Sequence, residues 1–168
     1  IDQANSTCCY VAEKLGLPLP YSYQTSLDVT DKGRMKVIFK DGGIPTSDFY
    51  TIHSEEEIED NRFAFPLVVK PVDCNSSKGV RKVDTVEELH KYAAEALSMS
   101  RTKSAIIEGF VEGFEIQVDC LALDGDADVL LTRQKKQIRR DDDIVLQSTG
   151  SIIPANLDAA LRAQTLDV

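Results

Sequence analysis

The 168-residue sequence has no tryptophan, two histidines, two methionines and only four cysteines. Cys8, Cys9, Cys74 and Cys120 form no C-x-x-C pair, and with only His53 and His90 beside them the usual zinc patterns are excluded. Adjacent Cys8 and Cys9 fall on different sides of a helix and read as buried small residues in a reducing compartment. No apolar run approaches the ~18–20 residues needed to cross a bilayer, and no signal peptide is visible, so the expected location is the cytoplasm, away from membranes. Positive charge is scarce: 19 Lys and Arg against 28 Asp and Glu give a net charge of −9, which argues against a general nucleic-acid or membrane-surface binder. An anionic ligand would need a local cluster of cations. The phosphate-loop pattern G-x-x-x-x-G-K-[ST] is missing, as are G-x-G-x-x-G, H-E-x-x-H and G-x-S-x-G. Asp124-Gly-Asp-Ala-Asp128 resembles a calcium loop, but its glycine is misplaced and Lys135 stands where a bidentate glutamate belongs. The chain opens on Ile1, with its first methionine at Met35, so the expectation is a piece of a longer protein.

What remains is a globular α+β pattern. Ala4, Cys8, Val11, Ala12 and Leu15 fall at helical spacing, stopped by Gly16. Leu17 to Tyr23 reads as a proline-marked connector. A helix is expected over Lys32–Asp41, capped by Thr30 or Asp31 and ended by Gly42-Gly43. Asp48–Ile52 reads as a short strand, and Pro66–Lys70 as a buried strand with Val80–Val83 as its partner. Thr85-Val-Glu-Glu88 is a capping box opening a helix with a core face of Val86, Leu89, Ala93, Ala96 and Leu97. Ala105–Ile107 is another buried strand. Glu115–Leu123 alternates, and Asp124-Gly125 turns it into Asp128–Leu131. Asn156–Gln164 reads as a final helix.

Three places could carry chemistry. Lys70 ends a buried strand, where an ammonium is costly unless it meets an anion or its head reaches water. The loop Asn75-Ser76-Ser77-Lys78-Gly79 offers hydroxyls, backbone N–H groups and a cation to phosphates, and reads equally as an ordinary turn. Glu108 and Glu115 bracket Gly109-Phe-Val-Glu-Gly-Phe114, which is either a nucleotide-facing hinge or a surface loop with solvated glutamates. Upstream, Lys32 sits in the first turn of its helix, where a cation opposes the macrodipole and a phosphate would justify it. Arg133, Lys135, Lys136, Arg139 and Arg140 form a basic cluster that faces phosphates or solvent, and Asp141–Asp143 reads as a solvated acidic turn.

In this order the segments resemble the ATP-grasp superfamily. The matching pieces are Asp31-Lys32 with Gly43-Ile-Pro45, Phe65-Pro-Leu-Val-Val-Lys70-Pro71, Asn75–Val80, and Glu108-Gly-Phe-Val111 followed by Glu115. Carbamoyl-phosphate-synthase large-chain-like proteins and their amino-acid-ligase relatives look nearest. The resemblance implies a partial ATP-grasp fold of two lobes with mainly antiparallel sheets and flanking helices. Residues 1–28 would close a preceding α/β domain, 29–107 would form the first lobe and 108–168 the start of the second. Lys32 and Lys70 would contact ATP phosphates, while Ser76, Ser77, Lys78 and Gly79 close over them. Glu108 with the backbone of Gly109 and Val111 would hold the adenine edge, and Glu115 the ribose. The implied reaction activates a carboxylate or bicarbonate as an acyl phosphate for attack by an amine or other nucleophile. It uses ATP and Mg²⁺, with the metal ligands expected outside this chain, no catalytic residue assignable within it, and the piece alone expected to be inactive. A homodimer of the whole protein is compatible with the resemblance. The alternative is a non-catalytic nucleotide-binding or scaffold module of the same α+β class.

Overall fold

The computed structural model describes residues 2–138 and 147–166. It divides into two compact units, Ile1–Phe110 and Val111–Val168.

The first unit begins with helices α1 (Asp2–Leu15), α2 (Tyr23–Asp28) and α3 (Lys32–Asp41). Gly16 ends α1 at φ +64°, the left-handed conformation that glycine adopts without a Cβ clash. The packed face of α1 is not the expected apolar stripe. Cys9 is buried, whereas Cys8, Val11 and Leu15 are exposed. The reason lies in polar bonds to the next segment: Tyr21 Oη donates to Asn5 at 2.9 Å and the Tyr23 amide to Glu13 at 2.9 Å. These bonds tie the Asn5–Cys9–Glu13 side of α1 to that segment, with Cys9 buried, Asn5 half-buried and Glu13 exposed. The connector expected over Leu17–Tyr23 gives way at its end to α2, which Ser22 caps by accepting from the Thr25 amide. In α3 the cap is Asp31, whose side chain accepts from the Arg34 amide.

A four-stranded sheet follows, built from β1 (Phe49–Ile52), β2 (Leu67–Pro71), β3 (Arg81–Val83) and β4 (Ala105–Gly109) in the order β1-β4-β2-β3. All its pairings are antiparallel. The acidic stretch after β1 forms a single 3₁₀ turn, Glu55–Glu57. Helix α4 (Val86–Met99) opens on the capping box, Thr85 accepting from the Glu88 amide and Glu88 from the Asp84 amide.

Because strand side chains alternate, the sheet has two distinct faces. One carries Tyr50, Ile52, Leu67, Val69, Val83, Ala105 and Ile107, and packs with Leu89, Ala93, Ala96 and Leu97 of α4 into the core. The other carries Phe49, Thr51, Val68, Lys70, Lys82, Ile106 and Glu108. Helix α3 approaches this second face so closely at β1 that a Cβ on Gly33 would lie 2.9 Å from Thr51 Oγ1.

The second unit is a three-stranded antiparallel sheet, β5 (Ile116–Leu123), β6 (Asp126–Ile138) and β7 (Gln147–Ile152), followed by α5 (Ala159–Leu166). Asp124 and Gly125, at φ 53° and 93°, make the two-residue turn between β5 and β6. β6 runs well past the expected Leu131, because it pairs with β5 in its first half and β7 in its second. Among the described residues, no helix is long and apolar enough to cross a membrane.

Candidate functional site

The second face of the first sheet gathers the cations. Glu108, near the end of β4, is 8% exposed. Its Oε1 accepts a hydrogen bond from Lys70 Nζ of β2. Its Oε2 lies 2.8 Å from Lys36 Nζ of α3 and 3.4 Å from Ser47 Oγ. Lys36 Nζ also donates to Ser47 Oγ at 2.6 Å and sits 5.6 Å from the centre of the Phe49 ring. Strand register brings these groups together: Val68 stands opposite Glu108 and Ile106 opposite Lys70, which makes Lys70 and Glu108 diagonal neighbours.

Burial pushes the Glu108 carboxyl up. The charge of Lys70, hydrogen bonds from Lys36 and Lys70, and the charge of Lys36 outweigh it and hold the carboxyl below its ordinary value. A buried carboxylate is tolerated when it is paired in this way.

Lys32 extends the cluster. Its Nζ donates to the carbonyls of Cys74 at 2.5 Å and Val72 at 3.3 Å, and its backbone amide also donates to Val72 O. The first turn of a helix is therefore not without a structural reason for this lysine, since it binds the chain leaving β2. Its ammonium is held below the ordinary lysine value, first by burial and then by the charge of Lys70, against an opposite pull from Cys74, Asp73 and Asp31.

The chain from β2 to β3 is anchored at its start. Asp73 Oδ2 accepts from the amides of Arg101 at 3.0 Å and Thr102 at 3.3 Å, while Oδ1 is buried with no hydrogen-bond partner. Beyond it Ser76 and Ser77 take φ values of 56° and 57°, and Gly79 takes 72°. An L residue in that region is disfavoured by ~1–2 kcal/mol. The side chains of Ser76, Ser77 and Lys78 are exposed. At Gly79 only glycine fits, because a Cβ would lie 2.9 Å from Met99 Sδ and from Pro71 Cδ.

Lys32, Lys70 and Glu108 thus lie together, and the 76–79 loop springs from the same strand. The Gly109 amide is taken by Asp48 O at 3.0 Å. Val111 and Glu115 belong to the second unit, where Val111 is 72% exposed. There Glu115 accepts from Lys135 Nζ, and Arg133 makes a two-pronged bond to Asp119 with both contacts at 2.8 Å. Arg133 and Lys135 of the basic cluster are therefore paired across β5 and β6, while Arg139, Arg140 and Asp141–Asp143 lie outside the described residues.

Sequence reading missed Lys36, Ser47 and Lys82. The signal for Lys36 was its place one turn after Lys32, on the same side of α3. Lys82 stands opposite Val68 on the cationic face, 5.1 Å from the centre of the Phe110 ring. Among the described residues no group of three or more His, Cys, Asp or Glu side chains could hold a metal ion. Two ammonium groups on one carboxylate, with a third beside Lys70, leave an excess of positive charge that suits an anion instead.

Residues 38–165 match the family model described as D-ala D-ala ligase C-terminus. The D-alanine--D-alanine ligase of Aquifex aeolicus (strain VF5) is 37% identical over 109 residues, covering 62% of this chain and 37% of that protein. A putative D-alanine--D-lactate ligase of Streptomyces coelicolor (strain ATCC BAA-471 / A3(2) / M145) is 36% identical over 116 residues, covering 67% of this chain and 32% of that protein. The chain thus matches only about a third of the length of these relatives. In three dimensions it resembles the L-amino acid ligase of Bacillus licheniformis with a TM-score of 0.82 at 24% identity, over 99% of this chain and 38% of that one, a likeness of fold.

Proposed function

This chain belongs to the D-ala D-ala ligase C-terminus family of the ATP-grasp superfamily, and from that premise we propose that it supplies nucleotide-binding parts of an ATP-dependent carboxylate–amine ligase. The observation that carries the reading is the pairing of Lys36 and Lys70 with Glu108, with Lys32 close enough to Lys70 to feel its charge, in a chain of net charge −9. Burial and the charge of Lys70 both disfavour the Lys32 ammonium, and a polyphosphate would offset both penalties. Lys32 and Lys70 take the phosphates, and Ser76, Ser77, Lys78 and Gly79 close over them. Glu108, with the backbone of Gly109 and Val111, takes the adenine edge, and Glu115 the ribose. The lobes of this reading are 29–107 and 108–168, with 1–28 ending a preceding domain.

ATP supplies the phosphoryl group. A carboxylate oxygen attacks the γ-phosphorus and ADP departs; an amine then attacks the acyl carbon and phosphate departs. Lysine charge would stabilise the transferring group. No group among the described residues could cage a metal, and in this reading the Mg²⁺ that would offset phosphate charge is held by residues outside this chain. The D-alanine ligases among the relatives favour an amino acid as the carboxylate over the bicarbonate of a carbamoyl-phosphate-synthase-like reaction. The homodimer belongs to the same reading.

Calorimetry of ATP binding to the intact protein tests it. Lys70→Ala and Lys32→Ala should each weaken binding at least tenfold, on the order of 1.4 kcal/mol, with circular dichroism unchanged. Unchanged affinity in both variants sinks the site. Phosphate release across a panel of D- and L-amino acids and bicarbonate then separates the substrates.

A further inference from the structure

Glu108 has two cationic partners, one on each carboxylate oxygen, and they come from different elements. Lys70 arrives from β2 and Lys36 from α3. The nucleotide reading gives Lys70 a second task, contact with a phosphate, and Lys70 cannot spend its full charge on both. If Lys70 were the sole partner, ATP binding would strip a buried carboxylate of its counter-ion. Such a group takes up a proton rather than stay charged and unpaired. Lys36 is placed to prevent this. Its side chain is 12% exposed, and its ammonium lies 2.8 Å from Oε2 and donates to Ser47 Oγ at 2.6 Å over the Phe49 ring. Ser47 itself reaches Oε2 at 3.4 Å.

We propose that Lys36 is a positioning residue that keeps Glu108 ionised and fixed at the end of β4 while Lys70 turns to the phosphates of the bound nucleotide. This inference rests on the nucleotide reading above. The groups that face Glu108 are Lys36 from α3, Lys70 from β2 and Ser47 from the segment before β1; Lys82 of β3 shares the face, and Lys32 acts on the cluster through Lys70. The lowered protonation range of Glu108 agrees with this arrangement, since both lysines contribute to it.

The experiment uses the intact protein with Lys36→Met, Lys36→Arg, Glu108→Gln and the Lys36→Met/Glu108→Gln pair. ATP affinity is measured by calorimetry at several pH values, and the Glu108 carboxyl is followed by carbon NMR with and without ATP. Lys36→Met should weaken ATP about tenfold near neutral pH, and the loss should deepen as pH falls, because the carboxyl that has lost one cation takes up a proton more readily. The Glu108 titration should move up, and further with ATP bound than without it. Lys36→Arg should restore affinity to within about threefold, since it keeps the charge. In the Glu108→Gln background, Lys36→Met should add nothing. If wild-type protein binds ATP but Lys36→Met changes neither the affinity nor the Glu108 titration, the inference falls and the nucleotide reading stands. A loss that is equal at every pH and persists with Glu108→Gln also overturns it, by making Lys36 merely structural. Failure of wild-type protein to bind ATP overturns both.

Discussion

Glu108 ties the stability of the first unit to pH in one direction. Its carboxyl is held below the ordinary value by Lys70 and Lys36 despite burial, so the folded state binds this proton less readily than the unfolded chain does. The stabilisation is in full force above the unfolded value of about 4.3 and is lost as pH falls through the folded value. Glu108→Gln leaves two ammonium groups unpaired, and such a break costs about 3–5 kcal/mol. Urea unfolding at neutral pH should show that loss, and the gap between variant and wild type should narrow as the pH is lowered into the acid range. A gap that stays constant with pH would mean Glu108 contributes packing rather than charge. The sequence displayed Lys32, Lys70 and Glu108 as candidates because each has a costly or unexplained position. Lys36 looked ordinary, since its role depends on which strand lies under α3.

At the level of elements, two glycines set distances that side chains then use. Gly33 lets α3 approach β1; an added Cβ would meet Thr51 Oγ1 at 2.9 Å and the capping Asp31 Oδ1 at 3.2 Å. Alanine gains about 1 kcal/mol of helix propensity there, but overpacking costs about 1–3 kcal/mol. Thr51 is β-branched and yields little, so the second term should win. Gly33→Ala should lower the Tm and weaken ATP binding, because the same helix carries Lys32 and Lys36. Thr51→Ala should recover part of both losses; no recovery would place the strain elsewhere. Gly79→Ala combines positive φ with contacts to Pro71 and Met99, and thermal denaturation should show a loss of about 1–3 kcal/mol.

The elements legible in the sequence were those with local punctuation. The Asp31 cap, the Thr85–Glu88 box and the Asp124-Gly125 turn each act within a few residues. Helix α2 was hidden because six residues behind two prolines carry no period, and the packed side of α1 was set by bonds to Asn5 and Glu13 rather than by hydrophobicity.

Across the whole molecule, the largest side chains buried among the described residues are concentrated in the first unit. Its buried apolar cluster runs from Tyr50 to Ile107 and lies between the first sheet and α4. The second unit instead exposes Leu121, Leu123 and Leu130 at 55%, 68% and 65%. Native-state hydrogen exchange should find the slowest amides in β2, β4 and α4, with β5–β7 opening at lower free energy. Equal protection in both sheets would contradict this distribution. Strand order β1-β4-β2-β3 was not readable from the chain, because it depends on which distant segments pair.

That order also raises a question of alignment. Leu67-Val-Val and Ala105-Ile-Ile are nearly uniform apolar segments, and such strands have little to fix their offset. A slip of one residue between β2 and β4 would break the diagonal pairing of Lys70 with Glu108, and would turn one of their charges toward Leu89 and Ala93. The shifted alignment therefore carries the cost of an unpaired charge in the core, so the ion pair distinguishes the native register from its nearest neighbour.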